Sequence, residues 1–447
     1  MTDNPVVMTK RNKDLQAANS EFVIEPVFDE SNSIIHDYRK KSWEAFKSLP
    51  MPTDRDEDWR RTTLKGIRFD QFKLLDQVKP NHAELPAVLT EPMADQNHGG
   101  QVLLTPWNAK VNLDPEIKVS GVVFEDIKRA SQEHPRELQL ILDRISKSRT
   151  NKFSALAGAL DLNGILLYVP KGVEVQAPLQ SVYWVPNGGF VHGLHVLVYL
   201  EEGASVTYVH ESSSPSGVTE TSLHTGIMEL YVGEGAHLNF VELQSWGDNV
   251  LNFTRENVSV EKDGSIDWIF GALGSKITKN YSDLNLIGQG STGKMSGFYF
   301  TDGNQHLDHD TQQNHLAPNT TSDLLFKGAL LEKSRSVWQG MIYVAPNASK
   351  TDGYQANRNL VLSKEARADS IPGLEILTDD VKCSHGATVG KIDQDQVFYL
   401  QSRGMQREVA EGLIVEGFFD PIMQRIPFAG VKSRFQGAII EKMEHIA

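Results

Sequence analysis

The chain has 447 residues, of which 40% are hydrophobic and 23% charged, with a formal net charge of -14 and a single cysteine. This length and composition are typical of a globular protein with more than one structural unit. The negative charge argues against a nucleic-acid-binding surface, which needs clustered Lys and Arg. One cysteine excludes a disulfide within the chain and an all-cysteine metal cluster held by one chain, and it fits a reducing compartment.

The N-terminal stretch 1–20 is polar and of mixed charge. It lacks the apolar core of a signal peptide and the Arg- and Ser-rich, acid-free composition of a transit peptide. No apolar run approaches the roughly 20 residues that a membrane-spanning helix needs. We therefore expect a cytoplasmic protein without membrane contact, which begins with a flexible tail over residues 1–30.

Residues 31–160 are predicted to form an N-terminal domain of helices joined by loops. A first helix is expected between Asn32 as N-cap and Pro50 as stop. Its apolar face consists of Ile35, Tyr38, Phe46 and Leu49. A second helix is expected after Pro135, with an apolar stripe formed by Leu138, Ile141, Leu142 and Ile145. The stretch 79–101, rich in Pro, Asn and Ala, is predicted to be a loop.

From about Leu162 the apolar pattern changes to a period of two, which is typical of β-strands. Each unit is a strand, a charged residue beside a turn glycine, and another strand. The turn glycines recur about every 30 residues, at Gly172, Gly203, Gly235 and Gly264. Glycine suits a tight corner that needs a positive φ. Stacked coils explain such a repeat better than the alternative, a β-sandwich of hairpins, because the units are too long for simple hairpins. We expect this β core to span residues 161–400.

The C-terminal segment, residues 401–447, returns to a helical pattern. Its first apolar stripe consists of Val409, Leu413, Ile414 and Phe418. A second stripe follows Pro427 and consists of Phe428, Val431, Phe435, Ile439 and Met443. These helices either cap the β stack or present a face to a partner, and the pattern leaves both open.

Two stretches imitate ligand sites. Gly288–Met295 fits the phosphate-loop spacing, but Met295 replaces the Ser or Thr that holds magnesium, and the residues after it read as a strand. We therefore expect a glycine-rich turn there. His306–His315 has His and Asp residues that could bind zinc, although no strand or helix is evident. Hydrogen-bonded ladders or solvent exposure are the expected roles of these side chains.

The segment Val381–Gly390 contains the single cysteine, Cys383, and His385 two positions later. If the segment is a strand, both side chains project from one face. Two ligands do not complete a four-ligand shell, so this would be half of a metal site whose other half comes most simply from a second chain. In one alternative Cys383 is a small buried residue. In another it is a nucleophile with His385 as base, although no oxyanion hole is evident.

The C-terminal half resembles the SufB/SufD family of iron–sulfur cluster assembly proteins, and more closely its SufD branch. The resemblance covers about residues 160–447 and rests on four segments: Lys350–Ser363, Ile371–Ile376, Lys382–Gly390 and Phe398–Gly404. More weakly, Asp58–Thr62 resembles a short tryptophan motif of the SufD N-terminal domain, with arginines where an aromatic residue is more usual after the tryptophan.

This resemblance implies a mainly β fold, with a right-handed parallel β-helix core flanked by N- and C-terminal helical domains. It implies a heterodimer with SufB through the C-terminal end of the β-helix, and binding of the SufC ATPase through helices at about Glu408–Met443. SufD is linked to iron entry. His385 and Cys383 would then be metal ligands for iron or a nascent iron–sulfur cluster shared with SufB. No cofactor would be bound stably.

We therefore expect a non-catalytic assembly subunit, which could also form a homodimer when alone because an unpaired sheet edge invites pairing. A SufB-like scaffold subunit is the nearest alternative, but the Cys-Ser-His-Gly spacing and the single cysteine favour SufD. A β-helix carbohydrate-active enzyme is disfavoured because such enzymes are commonly secreted and the chain shows no signal peptide. In a plain structural scaffold, Cys383 and His385 would only be core residues.

Overall fold

The computed structural model describes residues 21–28, 33–80, 85–91, 98–145, 150–160, 163–426 and 428–444. The helices are α1 (Ser33–Ser48), α2 (Ala87–Thr90), α3 (Pro115–Val119), α4 (Ile127–Glu133), α5 (Pro135–Ile145), α6 (Lys152–Ala159), α7 (Gln394–Ser402), α8 (Arg407–Met423) and α9 (Ala429–Glu444). Short 3-10 helices span Glu57–Trp59, Phe69–Gln71 and Leu75–Gln77.

The strands are β1 (Gly100–Leu104), β2 (Ala109–Leu113), β3 (Val123–Asp126), β4 (Gly164–Val169), β5 (Leu179–Trp184), β6 (Val191–Leu200), β7 (Ser205–Ser213), β8 (Ser222–Val232), β9 (His237–Ser245), β10 (Val250–Val260), β11 (Ser265–Ala272), β12 (Ile277–Leu286), β13 (Thr292–Thr301), β14 (His306–His315), β15 (Thr321–Leu330), β16 (Arg335–Val344), β17 (Asp352–Val361), β18 (Arg367–Ile376) and β19 (Lys382–Lys391).

Successive strands from β4 onward alternate between two sheets, one of nine strands and one of ten. The strand pairs from β4 to β19 are parallel, as in β10 with β12 and β17 with β19. The result is a parallel β-solenoid of about eight coils. Its interior holds a continuous apolar cluster that includes the fully buried Trp268 and Trp338. The predicted parallel β-helix is confirmed, and the β-sandwich alternative is wrong.

All four predicted coil corners use left-handed backbone, but at one of them the left-handed residue is not the predicted glycine. Positive φ angles of 69°, 67° and 63° occur at Gly172, Gly203 and Gly235. At the fourth corner the left-handed residue is Asp263, with φ 54°, and not Gly264. Gly264 is needed for space, because a Cβ there would lie 2.8 Å from the Gly233 carbonyl oxygen. The prediction of a positive φ at Gly264 was wrong.

The N-terminal region is less helical than predicted. Helices α1 and α5 form as expected, and Tyr38, Phe46, Leu138 and Ile141 are buried. However, β1 pairs with β5 and β2, and β3 pairs with β4, so this region extends both sheets. The predicted loop at 79–101 contains α2 and the start of β1. The predicted N-cap, Asn32, lies outside the described residues, and the domain limits stay predictions.

The C-terminal helices pack on the outer face of the ten-stranded sheet, where they share an apolar cluster with Phe298, Phe300 and Leu331. They do not cap the stack. The predicted stripe of α9 is confirmed, since all five of its residues are buried. In α8 the prediction is half right: Ile414 and Phe418 pack against this cluster, whereas Val409 and Leu413 are 58% and 47% exposed. Other apolar residues of α8 are buried. Those buried residues are Ala410, Val415, Phe419, Ile422 and Met423.

Candidate metal site at the open end of the solenoid

The solenoid ends on β18 in one sheet and β19 in the other, and each of these strands pairs on one side only within the described chain. Three apolar side chains of this last coil are substantially exposed: Leu374 (37%), Ile376 (38%) and Val389 (51%). Two of them continue interior columns, because Leu374 and Ile376 lie opposite the buried Ile342 and Val344 of β16. The interior is therefore open at this end, bordered by two unpaired strand edges.

Cys383 and His385 lie on this last coil. The predicted strand is confirmed as β19, in which Cys383 is opposite Gly353 and His385 is opposite Gln355. Both partners on β17 are buried, so this side of β19 faces the solenoid interior. Cys383 is half-buried and His385 is exposed. The prediction that the two side chains share a face is confirmed.

The Cys383 thiol sits in an apolar surrounding. It packs beside the buried cluster of Ile342, Val344 and Ala348. Gly353 leaves room for it, since a Cβ there would be 3.3 Å from the Cys383 Sγ. Burial raises the pKa of the Cys383 thiol, and the nearby Asp352 carboxylate acts in the same direction, against a hydrogen bond from the Gly353 backbone. The thiol is therefore mostly protonated at neutral pH, which does not support the nucleophile alternative.

Because thiolate is scarce, alkylation of Cys383 by iodoacetamide should be slow at pH 7 and should still accelerate above pH 9. The rate is read by mass spectrometry, with the urea-unfolded chain as control, and Cys383 is the only cysteine that can react. The alkylation rate of the unfolded thiol should reach half of its maximum near the ordinary pKa of about 8.5, and that of the folded thiol at a higher pH. A folded-state plateau below pH 8 would contradict the raised pKa.

Gln355 and Ser370 add polar groups beneath the open end. The Gln355 amide donates to the carbonyls of Gly340 (3.2 Å) and Gly373 (2.9 Å), and so connects β16 with β18. The Gln355 Oε1 and the Ser370 Oγ have no hydrogen-bond partner among the described atoms. Gln355 lies in the Lys350–Ser363 segment, but the sequence suggested no role for it, because its position opposite His385 depends on strand register.

The arrangement supplies one imidazole and one thiol on a single face. Among the residues that the structure describes, no group of three or more His, Cys, Asp and Glu side chains is arranged to hold a metal ion. A full coordination shell at Cys383 and His385 would therefore need ligands from outside this part of the chain.

The histidine-rich stretch His306–His315 is a strand, β14, which the sequence did not show. His315 is buried, and its two ring nitrogens bond to the Thr320 (2.7 Å) and Ser322 (2.9 Å) hydroxyls. Asp308 and Asp310 pair with the buried Lys279. These side chains are therefore structural, in agreement with the ladder interpretation and not with zinc binding.

The glycine-rich stretch Gly288–Met295 forms a corner of the solenoid. Gly290 has a φ of 75°, and β13 begins at Thr292. A strand therefore follows the glycines where a phosphate loop needs a helix N-terminus. The predicted turn is confirmed.

A second exposed apolar surface lies on the C-terminal helices. Phe398 and Tyr399 of α7 are 71% and 57% exposed, close to the exposed Leu413 of α8. A groove between the two helices is lined by Asp395, Gln396, Tyr399, Leu400, Leu413 and Ile414. An apolar groove of this kind is suited to a protein partner. Among the described helices, none is both long and apolar enough to cross a bilayer.

Comparison with known proteins identifies the family. Residues 185–418 match the family model described as the SufBD core domain of SUF system FeS cluster assembly, and residues 23–181 match that of the SufBD protein N-terminal region. The chain belongs to the SufBD family. The family assignment made from sequence motifs is thus confirmed, while the SufD branch stays a prediction.

Similar proteins carry the same family name. An iron–sulfur cluster assembly SufBD family protein of Staphylococcus aureus (strain USA300) is 29% identical over 404 residues, which cover 88% of this chain and 85% of that protein. One of Staphylococcus saprophyticus is 29% identical over 403 residues, covering 87% and 85%. The two family models cover the N-terminal region and the solenoid, and they continue through α7 into α8.

Proposed function

We propose that this SufBD family member is the SufD-like subunit of a SufB–SufC–SufD scaffold, and that it supports iron entry and cluster formation at its interface with SufB. The observation that carries the proposal is the open last coil, where His385 and Cys383 share one face. Iron and sulfide are the cargo assembled there. The subunit is non-catalytic, holds no cofactor stably and works in the cytoplasm.

The SufB partner would cover the open end. Its strands would pair with the free edges of β18 and β19, and its side chains would bury Leu374, Ile376 and Val389. Imidazole and thiolate both suit iron, and SufB would contribute the missing ligands. Because metal binding requires the thiolate, the raised pKa of Cys383 disfavours iron binding before the partner arrives. Without SufB, the same edges would pair two copies of this chain.

The SufC ATPase would bind the groove between α7 and α8. The C-terminal segment can transmit its motion, because the residues after α8 and helix α9 are tied to the solenoid by polar contacts as well as by the apolar cluster. Arg425 bonds to Asp323 (3.3 Å) and Ser296 (3.1 Å), and Arg434 of α9 pairs with Glu211 (2.8 Å). Hydrolysis in SufC could thus open or close the SufB–SufD interface.

A SufB-like scaffold is the competing function. The single cysteine argues against it, because a subunit that carries a cluster by itself needs more soft ligands than Cys383 and His385 supply. The two functions differ in partner choice. A SufD-like chain should form a stable complex with a SufB homologue and SufC, whereas a SufB-like chain should do so with a SufD homologue.

The test is anaerobic reconstitution of this chain with its SufB and SufC homologues, wild type beside His385→Ala. We expect the variant to form the complex and to lose most of the iron and sulfide, because one ligand of the shared site is gone. Bound iron, acid-labile sulfide and visible absorbance measure the result. Ser384→Ala is the matched control, since Ser384 is exposed on the opposite face of the same strand.

Two outcomes would contradict the proposal. If the wild-type chain does not co-purify with SufB and SufC, the assignment to the scaffold is wrong. If His385→Ala assembles with an unchanged cluster content, His385 is interface packing and the chain is a structural partner.

A further inference from the structure

One corner of the solenoid, where each strand of the nine-stranded sheet leads into the next strand of the ten-stranded sheet, changes character along the stack. The turns of the first four coils carry charged side chains, among them Lys171, Glu202, Glu234 and Lys262. The next three turns, 287–291, 316–320 and 345–349, contain no charged residue, although 23% of the chain is charged. Charge is thus absent from this corner in three neighbouring coils close to the open end.

Apolar side chains line up along these uncharged turns. The backbone amides of Leu316, Ala345 and Leu377 each bond to the preceding coil at 2.9–3.0 Å, so these residues are stacked in register, about 4.8 Å apart from coil to coil. Leu316 and Leu377 are 44% and 50% exposed. The exposed or half-buried residues of this surface, which we call the apolar ridge, are Ile287, Leu316, Ala345, Pro346 and Leu377.

The open end is too small to hold a partner by itself. The strands β18 and β19 are each 10 residues long. Between two sheets about 10 Å apart, strands about 33 Å long enclose an end face of about 330 Å². A stable protein–protein interface buries about 800 Å² on each partner, and even twice the area of the end face falls short of this value. A partner that binds stably must therefore also contact a flank of the last coils.

The other flanks of the last coils are charged. The opposite corner exposes Glu332, Lys333, Lys364 and Glu365. The outer face of the nine-stranded sheet carries the ion pair of Arg367 with Asp369 (3.0 Å), and that of the ten-stranded sheet exposes Asp352 and Lys382. The centres of protein interfaces are depleted of charged residues, whose hydration is lost on burial. The apolar ridge is therefore the flank best suited to an interface.

We propose that the SufB-like partner that closes the open end also covers the apolar ridge, and that it does so with an uncharged, apolar strip of its own surface. This contact rests on the proposed function, because it requires that the partner binds the open end. The two surfaces are continuous, since Leu377 directly follows the exposed Ile376 of the last coil. From Leu377 the ridge extends three coils back to Ile287, about 14 Å along the stack.

The test is the affinity of the full-length chain for its SufB and SufC homologues, measured for wild type, Leu316→Glu and Leu316→Lys. Both variants should weaken binding about tenfold or more, because a charge of either sign would be buried against an apolar strip without a partner. Leu316 is 44% exposed in the free chain, so both variants should fold, which circular dichroism checks. Val119→Glu, at a position that is 88% exposed, is the matched control and should bind like the wild type. Tighter binding of either Leu316 variant would overturn the proposal, because the covering surface would then be charged.

A second measurement needs no variant. Hydroxyl radicals oxidise exposed side chains, and mass spectrometry locates the oxidised residues. Oxidation of Leu316 in the wild-type chain should fall severalfold when the complex forms, whereas oxidation of Val119 should not change.

The possible outcomes separate the ridge contact from the proposed function. If the wild type does not bind the SufB homologue, both are wrong. If it binds, but both Leu316 variants bind equally well and Leu316 stays accessible to oxidation, only the ridge contact is wrong. If Leu316→Glu leaves the complex intact but dissociates a homodimer of the isolated chain, a second copy of this chain covers the ridge and the SufB-like partner does not.

Discussion

Replacing Gly271 with valine is expected to detach helix α9 from the solenoid and to lower the free energy of unfolding by about 3 kcal/mol. Gly271 lies on the outer face of β11, where a Cβ would come within 2.4 Å of the Phe298 ring and 2.6 Å of the Phe435 ring. The two rings are themselves perpendicular, with centroids 3.6 Å apart. Phe298 lies on β13 and Phe435 on α9, and both are buried where the helix meets the sheet, so neither can move aside without lifting α9.

Limited proteolysis of α9 and urea unfolding followed by circular dichroism measure this effect. Gly437→Ala on α9 is the matched control, because apart from its chain neighbours and the helix's own backbone no atom lies within 4 Å of its added Cβ. It should be neutral or stabilise the helix by about 0.5–1 kcal/mol. If Gly271→Val unfolds like the wild type and α9 stays protected from proteolysis, docking of α9 does not depend on the close contact between Gly271 and the two phenylalanine rings.

The second large effect is expected from Lys279→Met. Lys279 is fully buried on the outer face of the nine-stranded sheet, with its Nζ 3.0 Å from the Asp308 Oδ2 and 2.8 Å from the Asp310 Oδ2. Thr62, the last residue of the Trp59 motif (Asp58–Thr62), donates a hydrogen bond to Asp308. Removing the cation leaves these two carboxylates without their opposite charge in a buried site, which costs about 3–5 kcal/mol. Since Thr62 shares this network, the N-terminal segment should loosen as well.

The measurement is urea unfolding, together with hydrogen exchange of residues 57–64. Lys279→Met combined with Asp308→Asn and Asp310→Asn should recover most of the loss, because no buried charge then remains unpaired. A loss below about 1 kcal/mol in Lys279→Met would show that the network contributes little. An unrecovered triple variant would indicate lost packing of the lysine stem instead.

The two predictions concern two different surfaces of the solenoid, each of which binds another part of the chain. Gly271 belongs to the surface that holds the C-terminal helices, and Lys279 belongs to the surface that holds the Trp59 motif. In the proposed assembly, the C-terminal helices also carry the SufC groove. Gly271→Val should therefore disturb SufC binding as well as stability, whereas Lys279→Met should act through stability alone.

Local periodicity determined much of this protein from its sequence. Side chains alternate between the two faces of a strand, so the sequence alone places Cys383 and His385 on one face. In the same way, the apolar stripe of α9 identifies the buried side of that helix. Both results follow from backbone geometry within one element. The repeat of about 30 residues gave the stacked coils for a similar reason, since each coil needs the same corner. The family motifs added the assembly function, which no periodicity contains.

Packing between distant residues decided the rest. Helix α8 is apolar on more than one side. Its packing on the outer face of the sheet therefore decides that Phe419 is buried and Val409 is exposed. Strand register, which no local pattern specifies, puts Gln355 opposite His385 and Gly353 opposite Cys383. Whether an end of the stack is open depends on where the helices dock, and they dock on its side. The sequence alone therefore determined which residues share a strand face, and only the tertiary structure decided that this face meets an uncovered end.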